Sequence, residues 1–211
     1  MVRCTKEDAL ETRSSILDAA VDVFHSHGVS QTSLADIATA AGVTRGAIYW
    51  HFKNKSDLFD AMCERVRLPL EAMIESSADE NAQDPLGHFR SWCLHALQEA
   101  LHNPLSRKVF EIVMHKCEFV DPQDPILIRQ RECFLQGRQN IERVLRLAVV
   151  KEQLPRKLDP AMAAIMVHAM LFGVLDHWLF SPDSFDLETQ SGRVVDTCIH
   201  MLQTAPSLQK E

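Results

Sequence analysis

Between Asp36 and Asp57 the chain carries no acidic residue, yet it carries Arg45, Lys53 and Lys55. Inside that window the run Thr44-Arg45-Gly46-Ala47-Ile48-Tyr49-Trp50-His51-Phe52 concentrates hydrogen-bond donors. Their chemistry is recognition. The two-pronged guanidinium of Arg45 matches a guanine edge. Tyr49 and His51 are donors for phosphate oxygens. Thr44 is suited to cap a helix or to touch a phosphate. Gly46 leaves room for a close approach to DNA, and Ile48 is expected to face the core.

Other reactive side chains form no comparable pattern. The six cysteines, at positions 4, 63, 93, 117, 133 and 198, include no Cys-x-x-Cys pair. Scattered cysteines of this kind usually serve as small core hydrophobes, so no disulfide framework is expected. A redox-sensing regulator is the alternative reading. It would use Cys117 and Cys133, with Lys116 available to lower a thiol pKa. His88, His95 and His102 recur every seven residues, which sets neighbours about 10 Å apart on a helix, too far to share one metal ion. His25-Ser26-His27 reads as a solvated helix end. His115 and Cys117 lack further ligands at useful spacing. There is no Gly-x-Ser-x-Gly, phosphate loop or dinucleotide fingerprint. No metal, cofactor or enzymatic activity is expected.

Helices must position the recognition residues. The chain shows no period-2 alternation and no Asn-Gly or Asp-Gly hairpin signal, so the fold class is all-α. Leu10, Leu17, Val21 and Phe24 line one face of a first helix over 6–27, which Gly28 stops. Ser33 with Asp36 three residues later is a capping-box pattern for a second helix, ended by Gly42. A tight turn leads to Thr44 and a short third helix. Two short helices around a glycine-containing turn make a helix-turn-helix, whose second helix fits the major groove. Asn54 with Asp57 opens a fourth helix, in which Pro69 is expected to place a kink, and the kink to act as a hinge. Asp84-Pro85, Asn103-Pro104, Pro125 and Asp159-Pro160 open further helices, and Leu187 begins the last.

Size and charge agree with this reading. With 211 residues, 46% of them apolar, the chain can bury a sizeable core. The net charge of −7 is unevenly spread. Residues 1–55 hold six basic and six acidic residues, whereas 56–211 hold sixteen and twenty-three. An acidic protein can therefore meet phosphate through a locally positive surface. The most apolar stretch, Ala161 to Leu175, is short for a bilayer span and is read as part of a buried helix. That helix, apolar all round, is expected to be buried on every side. No membrane association is expected, and the protein is expected to be cytoplasmic.

The segments Thr32-Ser33-Leu34-Ala35-Asp36-Ile37-Ala38 and Ala41-Gly42-Val43-Thr44-Arg45-Gly46-Ala47-Ile48-Tyr49-Trp50-His51-Phe52-Lys53-Asn54-Lys55 resemble the N-terminal domain of TetR regulators. The likeness is greatest to the AcrR, TtgR and MtrR group, local repressors of multidrug efflux pumps. His115-Lys116-Cys117-Glu118-Phe119, Gln153-Leu154-Pro155, Trp178-Leu179-Phe180 and Pro182 to Leu187 extend it over nearly the whole chain.

The resemblance implies a homodimer on a palindromic double-stranded operator, with residues 1–55 as the DNA-binding domain and 56–211 as the ligand-binding and dimerisation domain. It implies DNA contacts at Thr32, Ser33, Thr44, Arg45, Gly46, Tyr49, Trp50, His51 and Lys55. It implies a hydrophobic small-molecule inducer held by Val66, Arg67, Cys93, Ala96, Leu97, Phe110, Met114, Ile141, His168, Leu171 and Phe172. The last two helices would form the dimer interface. An activating rather than repressing role is left open, because that depends on where the operator lies.

Overall fold

The computed structural model describes residues 6–210; Cys4 lies outside them. Among these residues the chain forms nine α-helices. They are α1 (Lys6–His27), α2 (Leu34–Ala40), α3 (Arg45–His51), α4 (Lys55–Ser77), α5 (Pro85–His102), α6 (Pro104–His115), α7 (Pro125–Val150), α8 (Pro160–Phe180) and α9 (Leu187–Thr204). The helix starts follow local chemistry. Asp84, Asp159 and Asp186 each turn a carboxylate onto the first amides of α5, α8 and α9. Proline occupies the first position of α5 and α8, where its missing N–H costs nothing. The expected capping box is present: the Ser33 hydroxyl accepts from the Asp36 amide, and the Ser33 amide donates to the Asp36 carboxylate. Gly28 and Gly42 adopt φ of 79° and 66°, the left-handed backbone that ends α1 and α2.

The chain divides into two compact units. The first holds residues up to Val66 together with 105–130, so it extends past residue 55 and takes in α6. The reason is packing: Leu58, Phe59, Met62 and Val66 of α4, and Val109 and Ile112 of α6, are buried with Ile16, Val21 and Phe24 of α1 and Ile37 of α2. Phe24 and Phe59 meet edge to face at 5.9 Å. A large side chain buried here is worth about 3–5 kcal/mol against alanine. Leu10 departs from the expected apolar face: it is 61% exposed, in the first turns of α1 before the buried run that starts at Ile16.

The second unit holds 67–104 and 131–211. Phe89, Cys93 and Leu97 of α5, Ile141, Val144 and Leu145 of α7, Val167 of α8 and Val195 and Cys198 of α9 are buried in it. The Trp92 indole donates to the Leu70 carbonyl at 2.9 Å. The Gln153 side chain links the start of α5, accepting from the Leu86 amide at 3.0 Å and donating to Asp84 at 2.7 Å. Helix α4 runs on through Pro69 without interruption.

Helix α8 corrects one expectation. Its 21 residues are long and apolar enough to cross a membrane by length and composition. Yet Ala163, Ala164, Val167, Leu171 and Leu175 face the core of the second unit. It is not buried on every side. Met162, Ile165 and Phe172, at 42–43% exposure, mark a stripe that is open in the single chain. An all-apolar helix packed on one face only leaves its other face for something outside the protomer.

Candidate nucleic-acid interface

The site stands on α2 and α3. Thr44 caps α3, its hydroxyl accepting from the Ala47 amide at 3.1 Å. Phe52 ends the helix in an extended conformation. Ile48 is fully buried and fixes the inward direction of α3. Each helical residue turns the side chain by about 100°. Arg45 and Tyr49 therefore lie on one flank of Ile48, Ala47 and His51 on the other, and Gly46 and Trp50 point outward. Exposure follows this geometry: Tyr49 is 48% and Trp50 73% exposed, unusual values for large aromatic groups.

The two flanks differ in chemistry. On the first, the Arg45 guanidinium lies 5.8 Å from the centre of the Tyr49 ring, which steadies it without tying up its donors. Beside Tyr49 opens a shallow groove of about 530 Å³, lined by Ser30, Gln31, Thr32, Ser33, Leu34, Lys53, Asn54 and Lys55. On the second flank, His51 meets Trp50 edge to face at 4.5 Å. Burial, and then the nearby Arg13 guanidinium, hold the His51 pKa below its ordinary value. At Gly46 a Cβ would meet only the Thr44 hydroxyl, at 3.9 Å, so the fold itself does not demand glycine there.

Besides Thr44, whose hydroxyl caps α3, three of the expected DNA contacts are engaged inside the chain. Thr32 is buried, and its hydroxyl donates to the Gly28 carbonyl at 2.6 Å. The Ser33 hydroxyl donates to Asp36 at 2.7 Å and accepts from its amide at 3.2 Å. The Lys55 ammonium donates to the carbonyls of Val29, Thr32 and Ser30 at 2.8, 3.0 and 3.3 Å. Lys55 thus closes the loop between α1 and α2. Ser33, Thr44, Arg45, Gly46, Tyr49 and Trp50 are the expected residues that are exposed, and of these Arg45, Tyr49 and Trp50 carry large side chains on α3.

The expected ligand residues fall in both units. Val66, Phe110 and Met114 belong to the first, where Phe110 packs against its core. Arg67, Cys93, Ala96, Leu97, Ile141, His168, Leu171 and Phe172 belong to the second. Within the second unit His168 stacks on Phe172 at 4.2 Å and meets Phe134 edge to face at 4.3 Å. Phe134, outside the expected set, joins this aromatic cluster; its partners lie on a different helix, and no spacing along α7 signals them. Burial, then the Arg138 charge, lower the His168 pKa, favouring the neutral ring. Arg67 donates to Glu71 at 2.5 Å.

The redox alternative finds no support at Cys117. Burial pushes its thiol up to about 12, the reverse of what a reactive thiolate requires.

Residues 16–62 match the bacterial regulatory proteins of the tetR family. Residues 84–204, more than half of the chain, match the C-terminal region of the MAATS-type transcriptional repressors. The chain belongs to the TetR family. Its helix-turn-helix is the TetR DNA-binding element, and the protein is a transcription regulator, not an enzyme. Among TetR relatives, the chain is 41% identical over 210 residues to the HTH-type transcriptional regulator TtgR of Pseudomonas putida, covering 100% of both. Its fold is similar to that of NalD, the secondary repressor of the MexAB-OprM multidrug efflux pump in Pseudomonas aeruginosa. That comparison has a TM-score of 0.81 and 34% identity, and covers 94% of this chain and 100% of NalD. It is also similar to SmeT in its complex with triclosan, with a TM-score of 0.85 and 34% identity over 93% of each chain.

Proposed function

We propose that this protein is a cytoplasmic homodimeric repressor of a multidrug efflux operon, released from a palindromic operator by hydrophobic compounds. The observation that carries this reading is whole-length similarity to efflux-pump repressors, reaching through the ligand half of the chain as well as the DNA-binding half. Arg45, Gly46, Tyr49, Trp50 and His51 read the DNA, with Thr44 setting the start of the reading helix. Met162 and Ile165 on the exposed stripe of α8, with α9, meet the second copy. His168, Leu171 and Phe172, with Cys93, Leu97 and Ile141, supply apolar and aromatic surface to the inducer. SmeT binds triclosan, and a neutral lipophilic aromatic of that kind suits a neutral imidazole stacked on phenylalanine.

The inducer must favour a conformation whose recognition helices are wrongly spaced for the operator. Linkage is reciprocal, so the operator weakens inducer binding by the same factor, a coupling of about 1–3 kcal/mol. The test is fluorescence anisotropy on operator DNA recovered by selection from a random duplex pool. Tight binding that Arg45→Ala loses and that triclosan or another lipophilic compound releases is the expected result. Tight binding insensitive to a broad panel of such compounds would refute the inducer half of the reading.

A further inference from the structure

We propose that Arg13 is a DNA-contacting residue, holding with His51 a backbone phosphate on the flank of α3 opposite Tyr49. Arg13 lies on α1, outside the helix-turn-helix, and nothing in the local sequence marks it.

The argument starts from the shape of the groove. A helix in the major groove lies between two sugar–phosphate strands, so both of its flanks face phosphate. The Tyr49 flank is furnished for that contact by the polar groove beside it, with Lys53 and Asn54. On the other flank α3 itself offers only Ala47 and His51, and His51 is mostly uncharged at neutral pH because burial and Arg13 hold its pKa down. Without help, this flank would face phosphate without a full charge.

Arg13 supplies one. Its guanidinium carbon lies 5.1 Å from the centre of the Phe52 ring, directly after His51 in sequence. Phe52 is buried, so the guanidinium rests on the outer face of a fixed ring. A guanidinium held over an aromatic face is positioned by the ring and can still donate from its edge, an arrangement that suits phosphate. No acidic side chain pairs with Arg13 among the described residues, in contrast to Arg65 and Lys108, which are paired with Asp18 and Asp22 on the same helix as Arg13. The Arg13 charge is close enough to His51 to disfavour the imidazolium, and an anion placed between two such donors would relieve that repulsion. The proposal rests on α3 being the reading helix.

The experiment measures operator affinity of the full chain against salt, using a duplex selected from a random pool with the wild-type protein. Arg13→Gln and Arg13→Lys are compared with wild type, and Arg45→Ala serves as the control for base reading. Each phosphate neutralised contributes about 0.9 to the slope of log K against log salt. Arg13→Gln is expected to weaken binding about tenfold and lower the slope by about one, while Arg13→Lys keeps the wild-type slope. A second series places a neutral methylphosphonate at each position in turn. Wild type is expected to lose affinity at one position per half-site where Arg13→Gln is indifferent.

An unchanged slope together with an unchanged methylphosphonate pattern in Arg13→Gln would overturn the proposal and leave Arg13 as a cover for Phe52. Poor folding of Arg13→Gln cannot mimic the expected result, because the methylphosphonate pattern is read from the folded fraction. Wild-type protein that binds no duplex would overturn the DNA reading itself, and this proposal with it. Wild-type binding with both the Arg13→Gln slope and its methylphosphonate pattern unchanged overturns this proposal alone.

Discussion

His25 Nε2, in the last turn of α1, lies 2.5 Å from Glu111 Oε2 on α6, and the other Glu111 oxygen accepts from Arg107 at 3.1 Å. Burial works to raise the Glu111 pKa, but the hydrogen bonds from His25 and Arg107 outweigh it and leave the carboxyl below its ordinary value. A lowered carboxyl pKa stabilises the fold above the unfolded-state value of about 4.3, and that contribution is lost as pH falls through the folded-state value. Glu111→Gln is expected to destabilise the protein by about 1–2 kcal/mol at pH 7. The difference from wild type should shrink as pH falls below about 4, as followed by urea unfolding across pH.

Ser33 and Asp36 form a closed pair at the start of α2. The Ser33 hydroxyl, and then its backbone amide, hold the Asp36 carboxyl below its ordinary pKa. Ser33→Ala is expected to cost about 1 kcal/mol and to fray the first turn of α2. Faster amide exchange confined to α2, with α1 unaffected, is the signature to measure.

Lys55 and Arg13 should behave as opposites. The Lys55 ammonium is occupied by three loop carbonyls. Lys55→Met is expected to lower stability by about 1–3 kcal/mol, since hydrogen bonds to a charged group are the stronger kind. The salt slope of operator binding should stay at the wild-type value. A slope reduced by about one would instead give Lys55 a phosphate.

Operator affinity should rise as pH falls from about 7 toward about 5.5, the range in which histidine gains its charge. In the free protein His51 is held neutral by burial and by Arg13, with Trp50 and Phe52 as its other neighbours. A phosphate beside it favours the imidazolium, so binding takes up a proton, and lower pH favours the bound state. Folding runs the other way: a lowered histidine pKa gives stability that is present above about 6.5 and falls away below it. His51→Gln should flatten the pH dependence of affinity.

Cys117 should be inert. With its pKa raised to about 12, only about one thiol in 10⁵ is ionised at pH 7. Cys117→Ser is therefore expected to leave operator binding under mild peroxide identical to wild type. A peroxide response abolished by that substitution would restore the redox reading.

Much of this was legible in the sequence because it is local. Caps at Ser33, Asn54, Asp84 and Asp159, the glycine stops and the outward side of α3 depend on residues within one turn of each other. What was not legible is set by contacts distant along the chain. Arg13 on α1 reaches Phe52 beyond α3, and Lys55 reaches Val29 in the loop after α1, so neither role leaves a spacing to read. Helix α8 departs from expectation for another reason. Apolarity all round says that a helix is hidden from water, but not whether its own chain does all the hiding.

That open stripe has a thermodynamic consequence. If its cover is a second copy of the chain, a large part of the folded state's stability comes from association, and association obeys mass action. The melting temperature should then climb with protein concentration. At low concentration, newly made chains would spend their first moments as the least durable form of the protein, with Met162 and Ile165 in water. Turnover would fall hardest on chains that have not yet found each other, so the cell's stock of repressor would depend more steeply than linearly on its rate of synthesis.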